Sequence, residues 1–150
     1  MDTNNKVSGN QIPLFRVNQD TLKKQIDGYD SLGMFSSARK ISSLLLLLSA
    51  TITILMIVFL GLNAGAFLDV IILIILAIFV YMGQKWAIIA AMILWTYEKG
   101  YLIFEALHNS GSGTIIIMAI IWWFFYMREF WLAYKVEVER KKQLPPVQNV

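Results

Sequence analysis

The sequence predicts an all-α fold: a four-helix transmembrane bundle built from two antiparallel helical hairpins, with both termini in the cytoplasm. Three observations carry this expectation. Hydrophobic residues make up 57% of the 150 residues and charged residues 15%, with a mean hydropathy of +0.60, which excludes an ordinary water-soluble surface. The apolar residues are gathered into four long runs rather than scattered, as bilayer spans require. Apart from Lys99 and Arg128, lysine and arginine are confined to the two tails and to one of the three breaks between the runs.

Residues 1–40 read as a cytoplasmic N-terminal tail. They lack the early apolar core of a cleavable signal peptide, and Asp2 stands where N-myristoylation needs glycine. The segment from Asp20 to Ile26 predicts a short helical turn. Leu32, Met34, Phe35 and Ala38 then precede Arg39 and Lys40, the pattern of an interfacial segment ending in a basic anchor. This reads as a solvated tail rather than a lipid-recognition module, which would carry a denser basic cluster.

The membrane domain is predicted over 41–134, with spans at about 41–62, 66–82, 86–107 and 115–134. The first span carries no charge, and Ser42, Ser49 and Thr53 share one stripe suited to helix packing. Gly61, Asn63, Ala64 and Gly65 predict a tight turn. Asp69 is placed in the first turn of the second span, where a carboxylate meets the unpaired amides and the positive end of the helix dipole. Gly83-Gln84-Lys85 is long enough only for a turn, so spans two and three form an antiparallel hairpin. The fourth span runs from aliphatic residues into an aromatic band, Trp122 to Tyr134, in which Arg128 can snorkel toward phosphates. Residues 135–150 form a cytoplasmic tail that prolongs this helix until Pro145-Pro146 ends it.

The third span is the unusual one, because it carries Glu98, Lys99 and Glu105. Ionisable residues at membrane depth cost roughly 2.5–3.5 kcal/mol each and face a protein interior or a water-filled cavity. Heptad spacing puts Ala87, Ala91, Leu94, Glu98 and Glu105 on one stripe. Glu98 falls about 18 Å inward from Trp86, a depth shared with Thr53, so the expected partners of Glu98 are Thr53, water or Arg128. Lys99 points about 100° away from Glu98, and the two are not expected to pair.

Lysine and arginine alone set the orientation. Both tails and the turn at Lys85 carry them, while the loops around Asn63 and Ser110 carry none, which places both termini inside. Chemistry is harder to find. The chain has no cysteine, and His108 is its only histidine, so no thiol nucleophile, metal cluster or serine–histidine set is expected. The glycines around 111–113 follow no strand and precede no lysine, so they are not a Walker loop. The basic residues are spread along tails, which disfavours nucleic-acid binding.

From Phe67 onward the chain resembles a family of small bacterial four-helix integral membrane proteins with no established activity. The matching features span residues 67–137. They are Leu68-Asp69 opening span two, the Gly83-Gln84-Lys85-Trp86 turn, the Gly-Ser-Gly of 111–113, the aliphatic-to-aromatic fourth span and the tail after Ala133-Tyr134-Lys135. Two departures stand out: the inner turn keeps only Lys85, and Glu98-Lys99 replaces the family's lone mid-span lysine. The resemblance implies a bacterial cytoplasmic-membrane location and the fold, but no chemistry.

The function expected is therefore structural, accessory or assembly-related, not enzymatic, without metal or cofactor. The lipid bilayer is the first partner, and a second copy or another membrane protein is the next. The alternative is a small proton- or cation-coupled transporter or channel, working as an oligomer through Glu98, with Glu105 and Asp69 at its outer mouth. Ala87, Ala90 and Ala91 are the candidate contact points between helices.

Overall fold

The computed structural model describes residues 17–60, 65–108 and 113–143. The predicted turns at 61–64 and 109–112, and the ends of both tails including Pro145-Pro146, lie outside the described residues. Every regular element described is helical: α1 (Gln19–Asp27), α2 (Ala38–Leu60), α3 (Gly65–Tyr81), α4 (Lys85–His108) and α5 (Gly113–Gln143). Among the described residues there are thus five helices: α1, over the predicted helical turn of the N-terminal segment, and α2 to α5, over the four predicted spans. Helices α2, α4 and α5 are long and apolar enough to cross a membrane, whereas α3, with 17 residues, is shorter. At 1.5 Å per residue, α3 is about 25 Å long and α5 about 46 Å.

Helices α2 to α5 close into a ring in which α2 meets α3 and α5, and α4 meets the same two. The interior is small and aliphatic: Leu46, Ala50, Ala77, Val80, Ala87, Ile88, Ala91, Phe130 and Ala133 are almost wholly buried. Ala87 and Ala91 are therefore spent inside the protomer, where their small side chains let α4 approach its neighbours, and they present no surface to a second copy. Of the α2 stripe, Ser42 and Ser49 are buried and Thr53 is partly so; Ser43, outside that stripe, is buried as well, and its Oγ donates to the Ala77 carbonyl of α3 at 2.8 Å.

Between α3 and α4 the chain turns in three residues. Gly83 N–H donates to the Val80 carbonyl and Gln84 N–H to the Phe79 carbonyl, both at 3.0 Å, closing α3 with paired bonds that need a left-handed residue at Gly83 (φ 74°).

The N-terminal segment departs most from expectation. Most α1 side chains face solvent, yet α1 lies against the far end of α5, and Leu22 and Tyr29 are buried with Val136. Asn18 caps α1 by accepting from Asp20 N–H at 2.9 Å. Gln25 then clips the connection to α2, accepting from Ala38 N–H at 3.0 Å and donating to the Ser36 carbonyl at 2.5 Å. Lys40, expected as a membrane anchor, donates to the Leu32 carbonyl at 2.6 Å.

Candidate functional site

Two polar regions interrupt the apolar interior. The first is a cleft of about 500 Å³ between α2, α3, α4 and α5. It gathers Thr53, Asp69, Glu98 and Lys99 onto walls that include Trp95, Tyr97, Tyr101, Trp122 and Tyr126. Two other residues singled out from sequence are not brought in. Glu105 and Arg128 are both exposed on their helices and do not line the cleft.

Glu98 and Lys99 do pair, contrary to expectation: Lys99 Nζ lies 2.8 Å from Glu98 Oε1. The long lysine stem bends across the angle between the two positions, and its ammonium also sits 4.2 Å from the centre of the Trp95 ring. Nor does the buried stripe lead to Glu98. It runs through Ile88, Ala91 and Trp95 to the half-buried Lys99, Leu102 and Ala106, so the covered side of α4 takes in Lys99 and leaves Glu98 exposed. Lys99 is consequently the better-covered partner, with 15% of its side chain exposed against 49% for Glu98.

Neither expected side-chain partner meets Glu98 among the described contacts. Thr53 donates to the Ser49 carbonyl at 3.0 Å, and no described ion pair involves Arg128. Asp69 needs a correction as well. Because α3 begins at Gly65, Asp69 is its fifth residue, beyond the first turn, and it acts as a cleft wall rather than a helix-start carboxylate.

Behind the cleft, contacts tie three helices together. Trp95 of α4 stacks flat on Tyr126 of α5, with ring centres 3.9 Å apart and planes at 6°. The Tyr126 hydroxyl in turn lies 3.1 Å from Ser49 Oγ of α2. Trp95 Nε1 is buried and has no hydrogen-bond partner.

The second region closes the end of the ring formed by the start of α2 and the last turns of α5. Glu137 is fully buried and accepts a hydrogen bond from the Tyr29 hydroxyl. That hydroxyl accepts from Arg39 Nη1 at 2.7 Å, while Arg140 Nη2 lies 3.5 Å from Glu137 Oε2. Both guanidiniums cover the Tyr29 ring, Arg39 at 4.0 Å and Arg140 at 3.7 Å from its centre. Burial, reinforced by the bond to Glu137 and its negative charge, pushes the Tyr29 hydroxyl up to about 12 against the opposing pull of the two arginines.

Gly83 completes this cluster by having no side chain. A Cβ there would meet the Tyr29 hydroxyl and stand 2.8 Å from Glu137 Oε1. Sequence reasoning missed Tyr29 and Glu137 entirely. Glu137 reads as one charge among many in a mixed-charge tail, and its partner lies 108 positions away.

No family model matches the chain, and no curated protein or solved structure does either. Among the described residues, no group of three or more His, Cys, Asp or Glu is placed to hold a metal ion.

Proposed function

We propose that this chain is a multi-pass protein of a bacterial cytoplasmic membrane with a structural or accessory role, α2 to α5 spanning the bilayer and both termini inside. The outward faces support a lipid environment. Val58, Phe59, Leu68, Ile93 and Ile121 are all more than half exposed, while the serines of α2 point inward. Helix α3 falls at the short end of the roughly 17–25 residues that cross a bilayer. The resemblance to bacterial four-helix membrane proteins and the lysine and arginine bias support the location and the orientation.

One observation carries the structural role: Glu98 is neutralised by Lys99 within a contact chain that runs through Trp95 and Tyr126 to Ser49 and so joins α4, α5 and α2. A carboxylate compensated in this way offers no vacant charge to a passing ion, while the Trp95–Tyr126 stack and the Tyr126–Ser49 contact hold the three helices in place. The transport reading keeps one observation in its favour, that Thr53, Asp69 and Glu98 line a single cleft.

Proton and monovalent-cation flux in proteoliposomes separates the two, comparing the natural protein with Glu98→Gln. The structural reading expects no flux from either protein. Flux from the natural protein that disappears in the folded variant would put transport first.

A further inference from the structure

We propose that the cleft between α2, α3, α4 and α5 binds a lipophilic organic monocation, with Asp69 as its counter-ion. The inference goes beyond the structural role and does not rest on it, because a cation held in the cleft need not be carried across anything.

Charge comes first. Asp69 and Glu98 bring two carboxylates into the cleft and Lys99 brings one ammonium. Lys99 is committed to Glu98 at 2.8 Å and to the Trp95 ring at 4.2 Å. Among the described residues no ion pair involves Asp69. Asp69, exposed on the cleft wall, is thus a carboxylate without a described side-chain partner, and a ligand with a single positive charge would balance it.

The walls decide what kind of cation. Tyr97, Tyr101 and Trp122 present aromatic rings to the cleft, and Leu48, Ile52 and Leu73 present aliphatic side chains. Aromatic faces attract a cation through their quadrupole, most strongly where water is excluded, and the aliphatic wall favours an apolar body over a hydrated metal ion. A volume of about 500 Å³ falls in the usual range for a drug-sized ligand, roughly 300–1,000 Å³, and far exceeds what a bare monovalent ion needs. The opposite charge is disfavoured, because an anion would meet Asp69 and the exposed side of Glu98 with only a committed lysine to receive it.

The test uses the full chain in detergent micelles and equilibrium dialysis of tetraphenylphosphonium, with protein-free micelles as reference. Tetraphenylborate, of the same shape and opposite charge, serves as the control. The expected result is saturable one-to-one binding of the cation and none of the anion. Asp69→Asn should weaken cation binding by about tenfold or more, while Glu105→Gln, outside the cleft, leaves it unchanged. Equal binding of the two ions, no saturable binding of the cation, or full affinity in a folded Asp69→Asn would overturn the proposal. Should Asp69→Asn fail to fold, Trp122→Leu decides: weakened cation binding at unchanged net charge supports the site, and undiminished binding rejects it.

Discussion

Glu137 and Glu98 are both carboxylates in helices made largely of apolar residues, yet their surroundings differ in almost every respect. Glu137 is wholly buried, takes a hydrogen bond from Tyr29 and lies beside Arg140, in a cluster so tight that Gly83 cannot carry a Cβ. Glu98 leaves half its side chain exposed, has the adjacent Lys99 as partner and borders an open volume. The first arrangement joins segments far apart in sequence, namely the connection after α1, the start of α2 and the last turns of α5. The second joins neighbours on one helix. A buried charge that bridges distant segments is costly to break, because the groups left behind have no solvent to turn to, whereas a half-exposed pair is easily replaced by water. The sealed cluster is therefore the part of the molecule on which folding depends, and the cleft is the part free to take a ligand.

Breaking the sealed cluster should give the largest effect. Glu137→Leu leaves Arg39 and Arg140 facing each other across the Tyr29 ring without a carboxylate, and the loss of one partner from a buried charged network costs roughly 3–5 kcal/mol. Because 29% of the Arg140 side chain remains exposed, the lower end of that range is expected. Thermal denaturation in detergent reads the loss directly, and a melting temperature equal to the natural protein's would remove the cluster from any structural role.

Tyr29 permits a finer test of the same cluster. Tyr29→Phe removes one buried hydroxyl and should cost about 1–2 kcal/mol at neutral pH. The sign of its pH dependence follows from the upward displacement to about 12. An unfolded tyrosine loses its proton near 10, so the stability contributed by the protonated hydroxyl is complete below pH 10 and disappears as pH rises toward 12. Other groups titrate in that window, so the difference between the natural protein and Tyr29→Phe is the quantity to follow. That difference should shrink between pH 10 and 12, and a gap constant with pH would show that the hydroxyl is not held as described.

The contrast between the clusters also explains what could be read from the chain beforehand. Helical character, the long apolar runs and the three-residue turn at Gly83 are local properties, legible from composition and from the room a turn needs. The inward serine stripe of α2 was legible too, because periodicity alone orders it. The cleft was half legible: unusual charges in α4 drew attention to Glu98 and Lys99, but seven-residue spacing favoured the wrong one of the two. Spacing alone does not choose between neighbouring positions: the packing of the Lys99 side chain over Trp95 covers it and leaves Glu98 half exposed. The sealed cluster was illegible. Tyr29, Arg39 and Glu137 each look ordinary in their own segments, and only the packing of α1 against α5 gives them a common environment.

The smallest effect is expected where the sequence looked most unusual. A double-mutant cycle on Glu98→Gln and Lys99→Met isolates the interaction between the two side chains from whatever each does alone. With half of the Glu98 side chain exposed, the coupling should fall below about 1 kcal/mol. Lys99→Met should itself be mild, since a methionine can keep the apolar contact with Trp95 that the lysine stem makes and forfeits only the ammonium over the ring. A coupling of several kcal/mol would reverse the comparison, because it would mean that the Glu98–Lys99 pair is as desolvated as the Glu137 cluster and that the cleft is closed in the working protein. A small coupling, measured on the same scale as the loss in Glu137→Leu, would make the cleft the replaceable region and the sealed end the one that the fold cannot do without.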